Sequence, residues 1–166
     1  MAGSTPLLLN FISRIWSALG TPLRRYVTWL LHPKFVHGVA GVIFDDKERV
    51  LLLKHRFWKD QRWGLPGGLA RHGETLAATL RRELREETGL DVRPLKLLKV
   101  STSREWLGEF ILLAEASGLP QARSAEIIEA QFWDLAHLPE NLLPSHRELL
   151  GEILALRESP GLPLEP

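Results

Sequence analysis

A loop rich in glycine leads into a short periodic segment in the sequence Gly67-Gly-Leu-Ala-Arg-His-Gly-Glu-Thr-Leu-Ala-Ala-Thr-Leu-Arg-Arg-Glu-Leu-Arg-Glu-Glu-Thr-Gly-Leu90. Four apolar residues recur at helical spacing and predict one buried stripe, namely Leu76, Ala77, Leu80 and Leu84. Thr75 is suited to the N-cap, because its hydroxyl can accept from a free amide of the first turn. Gly89 is suited to the left-handed residue that ends a helix. The spacing therefore predicts a helix between these two positions.

Three carboxylates share one face of this predicted helix. Glu83, Glu86 and Glu87 stand at positions i, i+3 and i+4, which brings their side chains together. Two carboxylates about 6 Å apart near a protein surface repel by roughly 3 kcal/mol at an effective dielectric constant of ~20. A hard divalent cation removes that repulsion, and oxygen ligands favour Mg²⁺, with Mn²⁺ as a substitute. The alternative is an ordinary solvated helix in which the glutamates pair with Arg81, Arg82 and Arg85.

The pattern extends beyond the helix, and it resembles the complete signature of the Nudix hydrolase family. The matching positions are Gly68, Glu74, Arg82, Glu83, Leu84, Glu86, Glu87, Gly89 and Leu90. The resemblance implies a hydrolase that uses a divalent cation to cleave a diphosphate bond in a nucleoside diphosphate linked to another group. Water attacks phosphorus in such a reaction. The cation neutralises the phosphates and lowers the pKa of a bound water, and a free carboxylate takes the proton.

The same resemblance implies roles for individual residues. The metal ligands are expected to be Glu83, Glu86 and Glu87, together with the carbonyl group of Gly67. Arg82 is expected to orient Glu83 or a neighbouring carboxylate through a charge-assisted hydrogen bond. Glu74 is expected to support the junction between loop and helix. Because family members place the general base differently, a glutamate of the helix and a late residue, Glu126, are both candidates. An exposed glutamate at the start of a strand is the plainer interpretation of Glu126.

Substrate contacts are expected from the loops around the signature. The candidates are Arg56, Phe57, Trp58, Gly68 and Trp106. Aromatic rings in loops can stack on a base, and an arginine can meet phosphate, although packing and a solvated strand end would explain the same residues. The chain lacks the proline expected about fifteen residues after the signature in ADP-ribose hydrolases, where Glu105 and Trp106 stand instead. The substrate therefore stays open within the class.

Composition limits the other functions that the chain could have. It has 166 residues, a net charge of +1 and no cysteine. This length fits one domain with a short appendage, and the charge balance gives no reason to expect nucleic acid as a partner. The absence of cysteine excludes disulfides, thiol catalysis and cysteine-bound zinc, and it fits a reducing cytoplasm. We therefore expect a cytoplasmic protein whose partner is a small molecule.

Residues 1–35 match no part of the signature. Their apolar spacing predicts two amphipathic helices, one ending near Gly20 and one from Pro22 to Pro33. Since no apolar run approaches 18 residues, we expect no transmembrane helix, and the short apolar run without a basic start argues against a secretory signal. These helices are expected to cover the domain or pair two subunits as a homodimer. The alternative is an interfacial helix on a membrane surface.

The rest of the chain alternates between predicted strands and helices. Strands are expected at 36–44, 49–55, 92–101, 106–116 and 126–133, and a closing helix at 145–157. This order predicts an α+β fold, specifically the α/β/α sandwich with a mixed sheet that the resemblance implies, plus the N-terminal helical extension. The expected divisions are the extension at 1–35, the hydrolase domain at 36–157 and a flexible tail at 158–166. Two alternative functions stay open: a membrane-surface enzyme acting on a lipid-linked diphosphate, and a catalytically silent binding or regulatory module.

Overall fold

The central strand of the sheet is the most continuously buried segment of the chain. In the computed structural model, which describes residues 5–31, 35–104 and 107–158, strand β1 spans Val36–Phe44 and is buried from Val39 onward. Its apolar residues alternate between two covered faces, as in a strand packed on both sides. Strand β2 (Val50–His55) follows after a tight turn and runs antiparallel to β1. Strand β6 (Leu107–Ala116) pairs with β1 in parallel, which confirms the predicted mixed sheet.

Four further strands complete the sheet, whose order is β3-β2-β1-β6-β5, with β4 paired to β1 and β7 paired to β2. They are β3 (Trp63–Gly64), β4 (Gly67–Leu69), β5 (Val92–Arg104) and β7 (Ile127–Trp133). Strands β3 and β4 lie in the segment that the sequence predicted as loop. The predicted end of a strand at Ser101 is also wrong, because β5 continues to Arg104 through pairing with β6.

Two helices cover the sheet, one on each face. Helix α3 (Leu76–Thr88) packs Leu80 and Leu84 against one face of β1 and β2. Helix α4 (Pro144–Glu158) packs Leu149, Leu150 and Ile153 against the opposite face. The two apolar clusters share no residue, so the sheet separates them completely. This arrangement confirms the predicted three-layer α/β/α architecture.

The predicted caps of α3 are confirmed. The Thr75 hydroxyl accepts a hydrogen bond from the Ala78 amide over 3.1 Å. Gly89 adopts the left-handed conformation with φ of 74°, and its amide donates to the Arg85 carbonyl. The sequence between these caps therefore determines both ends of the helix that carries the glutamates.

The chain divides into two compact units between Lys34 and Phe35. The first unit contains helices α1 (Thr5–Ala18) and α2 (Thr21–Leu31), which agree with the two predicted amphipathic helices. The carbonyl of Gly20 accepts the first amides of α2, from Leu23 and Arg24. Within the described ranges, the helices are all too short or too polar to cross a bilayer. The predicted helix end at Pro33 and the tail after Glu158 lie outside the described residues.

Candidate functional site

Two adjacent glycines bring the backbone of β4 against both β1 and α3. A Cβ placed on Gly67, whose φ is +154°, would stand 2.1 Å from the Val39 carbonyl oxygen. A Cβ placed on Gly68 would stand 2.3 Å from the carboxyl carbon of Glu83. Real Cβ atoms do not approach other atoms this closely. The pair of glycines is therefore required for the Glu83 carboxylate to lie directly on the loop backbone.

Arg82 connects the loop to the helix. Its guanidinium donates to Glu74 through Nε at 2.7 Å and through Nη2 at 3.0 Å, a bidentate pairing. Nη1 donates to Glu83 Oε1 at 2.7 Å, and Nη2 also donates to the Leu69 carbonyl. Glu74 further accepts from the Arg71 amide at 2.9 Å. The bonds from Arg82 to Glu74 and to Leu69 join α3 to the loop, which is the supporting position that the signature implies for Glu74.

The electrostatics of this pairing follow from its geometry. The side-chain hydrogen bonds from Arg82, together with the Arg71 amide, lower the pKa of Glu74 to about 2. The hydrogen bonds that Arg82 donates to Glu74 in turn raise the pKa of Arg82 above its ordinary value. Both groups are therefore fully charged at neutral pH. A charged, bidentate pair of this kind holds the Arg82 guanidinium in one orientation beside Glu83.

Glu86 is held less firmly than Glu83. It lies within 3.4 Å of Arg82 Nη1 and 3.2 Å of Arg71 Nη2, and its side chain is 48% exposed. Ion pairs this exposed contribute little to stability, typically below about 1 kcal/mol. Glu86 can therefore exchange a guanidinium partner for another cation at little cost.

Glu87 is the buried member of the group. Its side chain is buried, and its Oε2 has no hydrogen-bond partner within the described part of the chain. Burial raises the pKa of Glu87 to about 8, and the charges of Glu83, Glu126 and Glu86 add to that effect, whereas the Gly67 amide opposes it. Three carboxylates thus add to the cost of charging Glu87, whose Oε2 is unpartnered, and a cation would relieve that cost.

Glu126 lies at the end of a segment that Arg56 fixes in place. The Arg56 amide donates to the Glu126 carbonyl at 2.8 Å, and its Nε donates to the Ala125 carbonyl at 2.9 Å. Glu126 immediately precedes β7, and its charge is one of those that raise the pKa of Glu87. Arg56 contacts backbone here through its amide and Nε, and its contact with a substrate phosphate stays a prediction.

The donor set matches a hard divalent cation in its chemistry. Across residues 5–31, 35–104 and 107–158, no three acidic or imidazole side chains are grouped as metal ligands as they stand. Arg82 contacts Oε1 of Glu83, and Arg71 and Arg82 contact Glu86. The unpartnered oxygen of Glu87 and the surrounding carboxylates fit Mg²⁺ or Mn²⁺, which prefer oxygen ligands. Binding would require the exposed Glu86 to turn from its arginine partners, whereas Arg82 can stay on Oε1 of Glu83.

An open cavity of about 210 Å³ lies next to the glycine loop. Its lining includes Gly67, Gly68, Trp58, His55 and His146. This volume is below the roughly 300 Å³ at the lower end for drug-sized ligands, so it suits one part of a substrate, such as a planar ring. Two larger cavities, of about 340 and 530 Å³, lie around the Glu115–Ser117 end of β6. No glutamate of α3 lines either of them.

The cavity wall contains two buried histidines and a tryptophan. His55 stacks on Trp58 with ring centroids 3.8 Å apart. The Nδ1 of His146 accepts the Leu65 amide at 3.0 Å, so its proton is carried on Nε2. Burial lowers the pKa of both histidines to about 4. These three rings therefore present uncharged aromatic surface at neutral pH, in a lining that also includes the carboxylate of Glu109.

The remaining predicted contacts have different positions. Phe57 is 74% exposed and does not line the cavity, whereas Trp58 does. Trp106 lies outside the described residues. Sequence reasoning missed Arg71, which occupies a variable position of the signature, and His146, which lies on the closing helix about 80 residues from its partner Leu65. Neither residue has a local pattern that indicates its position.

Known proteins resemble this chain both in sequence and in fold. A family model described as the NUDIX domain matches residues 34–153, which is most of the chain. The chain belongs to the NUDIX family. A MutT NUDIX hydrolase from Burkholderia pseudomallei, known from its crystal structure, superimposes with a TM-score of 0.62 at 27% identity. That superposition covers 74% of this chain and 98% of the other.

Two curated relatives are similar in sequence over different spans. The 8-oxo-dGDP phosphatase NUDT18 of Danio rerio is 37% identical over 58% of this chain, but the match spans only 31% of that protein. The ADP-ribose pyrophosphatase of Methanocaldococcus jannaschii is 30% identical over 71% of each chain. The chain thus covers about a third of the first relative and nearly three quarters of the second.

Proposed function

We propose that this NUDIX chain is a divalent-cation-dependent hydrolase. Its reaction is cleavage of a diphosphate bond in a nucleoside diphosphate linked to another group, with water attacking phosphorus. The observation that carries the proposal is the unpartnered Oε2 of Glu87, buried beside the glycine loop and under the influence of three further carboxylates. Relatives named as a phosphatase and a pyrophosphatase of nucleotide substrates support the same class.

The residues that would hold the cation are Glu83, Glu86, Glu87 and the carbonyl of Gly67. When bound, Mg²⁺ or Mn²⁺ neutralises phosphate charge and lowers the pKa of a coordinated water. The chain itself supplies orientation. Arg82, fixed by its bidentate bond to Glu74, holds Glu83 against the loop backbone. A charged group held in this way needs little rearrangement during the reaction.

Glu126 is the residue that we propose as general base, with Glu86 of the helix as the alternative. Arg56 holds the backbone on both sides of the Ala125–Glu126 peptide and so positions the carboxylate. Replacing Glu126 with Gln removes the basic oxygen and keeps the shape, so turnover is expected to fall at least ~100-fold. Glu129→Gln, an exposed change on the same segment, is the matched control. Equal turnover of the two variants would remove Glu126 from this role.

The cavity beside the glycine loop is the proposed position of the planar ring of the substrate. Trp58 supplies an aromatic face, and Gly68 leaves room for close approach of the ligand. His146 would donate from Nε2 to an acceptor on the ring. Phe57, exposed beside this loop, and Trp106 are further proposed contacts. A largely apolar cavity next to a site for charged phosphates divides recognition between the two ends of the substrate.

A second candidate substrate is a diphosphate linked to a lipid. The observation that favours it is the exposed apolar surface of α2, which contains no buried residue. In this case the same carboxylates would perform the same cleavage beside a membrane. A lipid-linked diphosphate presented in vesicles is therefore included in the substrate panel.

The organisation of the whole chain is proposed together with its activity. We assign catalysis to residues 36–157, a helical extension to 1–35 and a flexible tail to 158–166. The cytoplasm is the proposed compartment, because a chain without cysteine suits reducing conditions. Pairing of two chains through the extension is the alternative to membrane contact for this segment. Sedimentation of the full chain at several concentrations tests the pairing.

The decisive experiment is a panel of nucleoside diphosphate derivatives incubated with the full chain and Mg²⁺. Released phosphate and nucleotide are measured for each compound. We expect cleavage of at least one compound by the wild-type chain and no cleavage by Glu83→Gln, which excludes a contaminating hydrolase. Full turnover in an excess of chelator would contradict the proposal.

A further inference from the structure

Charge is distributed unevenly along the chain. Residues 1–44 contain no aspartate or glutamate, and their basic side chains are Arg14, Arg24, Arg25 and Lys34. All 20 acidic residues lie from Asp45 onward, together with the remaining 17 lysines and arginines. The N-terminal segment is thus positive whereas the rest is negative. An acid-free segment of this length has electrostatic affinity for an anionic surface.

Helix α2 combines this charge with an exposed apolar side. Leu23, Tyr26 and Leu30 are spaced three and four residues apart and are between 46% and 58% exposed. Trp29 stacks beside Tyr26 and is 59% exposed. None of the side chains of α2 is buried. Half of the fourteen exposed large apolar side chains in the described residues lie in residues 15–31.

The first unit also carries exposed cationic side chains. Arg25 is exposed on α2, and Arg14 is exposed on α1. Arg24 is engaged within the unit, since its guanidinium donates to the Ser17 carbonyl at the end of α1. Ile15 and Trp16 extend the exposed apolar surface onto α1. Tryptophan, tyrosine and arginine together are typical of helices that lie at a membrane interface.

We propose that α1 and α2 form a surface that binds anionic lipid bilayers. Their charge selects this occupant over a second copy of the chain, because two copies would bring Arg14 and Arg25 together with no acid in either segment to pair with them. Neither helix can cross a membrane, so they would lie in the plane of the interface. The binding concerns the first unit alone and does not depend on the proposed hydrolysis.

The test is flotation of the full chain with vesicles of phosphatidylcholine, with or without roughly 30% phosphatidylserine. We expect the wild-type chain to float with the anionic vesicles. The amount of floating protein should be about tenfold lower without the anionic lipid, and it should fall as the salt concentration is raised. Tyr26→Ser/Trp29→Ser and Arg25→Glu should each lower binding about tenfold. Because α2 buries no side chain, these changes should not unfold the chain.

Matched controls lie in the second unit. Leu119→Ser removes an apolar side chain that is 86% exposed, and Lys47→Glu reverses an exposed charge. Both should bind vesicles like the wild type, and all variants should cleave a soluble substrate at the wild-type rate. The experiment therefore distinguishes a failure of the lipid-binding proposal from a failure of the proposed hydrolysis. Absence of flotation, or equal flotation of all variants, would overturn the proposal. A third outcome would also overturn it: the wild-type chain never floats, and it forms a dimer that Tyr26→Ser/Trp29→Ser dissociates. The surface would then join two copies.

Discussion

The Glu83 carboxylate lies so close to Gly68 that a Cβ on residue 68 would stand only 2.3 Å from Glu83 Cδ. Replacing Gly68 with Ala should push the end of the Glu83 side chain away and leave the backbone in place. We expect turnover to fall at least ~10-fold, because the carboxylate leaves its orientation. The melting temperature should change little, since only the end of a partly exposed side chain moves. Turnover and thermal unfolding measured on the same preparation check both statements.

The control for this variant is Gly151→Ala. Gly151 lies on the exposed side of α4, where a Cβ meets nothing within 4 Å. Alanine is favoured over glycine in a helix by about 0.5–1 kcal/mol, so this change should stabilise the chain and leave turnover unchanged. If Gly68→Ala behaves like Gly151→Ala, the close contact with Glu83 has no part in catalysis.

Replacing Glu86 with Gln should separate chemistry from folding. The variant loses exposed ion pairs to Arg71 and Arg82, and one negative charge near Glu87. Stability without metal should stay within about 0.5 kcal/mol of the wild type, while turnover with saturating Mg²⁺ should fall at least ~100-fold. Glu152→Gln, which breaks the similarly exposed pair with Lys99, should preserve both quantities. Near-normal turnover would remove Glu86 from the site.

Metal removal should change both activity and stability. Turnover should disappear in excess chelator and return with Mg²⁺ or Mn²⁺. A cation that binds the folded site should also raise the melting temperature, by mass action and by favouring ionised Glu87. In Glu87→Gln the rise should be smaller, because a neutral amide replaces a charged oxygen ligand. An equal rise in both proteins would place the stabilising cation elsewhere.

Acid should destabilise the fold through the two histidines of the cavity. Burial lowers the pKa of His55 and His146 to about 4, below the 6.5 of the exposed side chain. Their contribution to stability is therefore complete above pH 6.5 and is lost as pH falls from 6.5 toward 4. Between pH 7 and pH 5 each could account for up to about 2 kcal/mol. Urea unfolding at a series of pH values measures this loss.

The matched variants for this experiment are His146→Asn and His72→Gln. Asparagine can still accept the Leu65 amide but does not titrate, so the loss of stability between pH 7 and pH 5 should shrink. His72 is exposed in the signature loop, and its replacement should leave the pH dependence unchanged. An unchanged pH dependence in His146→Asn would show that His146 does not titrate in this range.

Local chemistry explains what the sequence predicted well. The helix limits follow from Thr75 and Gly89, and the buried stripe follows from leucines at helical spacing, so α3 was predictable from consecutive residues. The mixed sheet with helices on both faces was predictable from the order of the elements and from the family resemblance. Strand β4 was not, because Gly67 and Gly68 pair with β1 through backbone alone and show no apolar alternation.

Contacts between distant segments account for the rest. Arg71 reaches Glu86, and Leu65 meets His146, only after sheet and helices have packed. The contact of Arg56 with the backbone before β7 was not predicted, since it depends on strands β2 and β7 being neighbours in the sheet. Which strands become neighbours depends on contacts between residues far apart in the chain, and local sequence patterns do not indicate those contacts.

The parallel pairing of β1 with β6 has a consequence for the order of folding. It joins Val36 to Leu107 and closes a long loop of chain that includes the entire signature. Helix α3 can form from local contacts, but Gly67 reaches its place only on the completed β1, and Glu126 only beside the paired β2 and β7. Such non-local pairings form slowly. A cation that recognises the assembled carboxylates should therefore slow unfolding and leave the refolding rate almost unchanged.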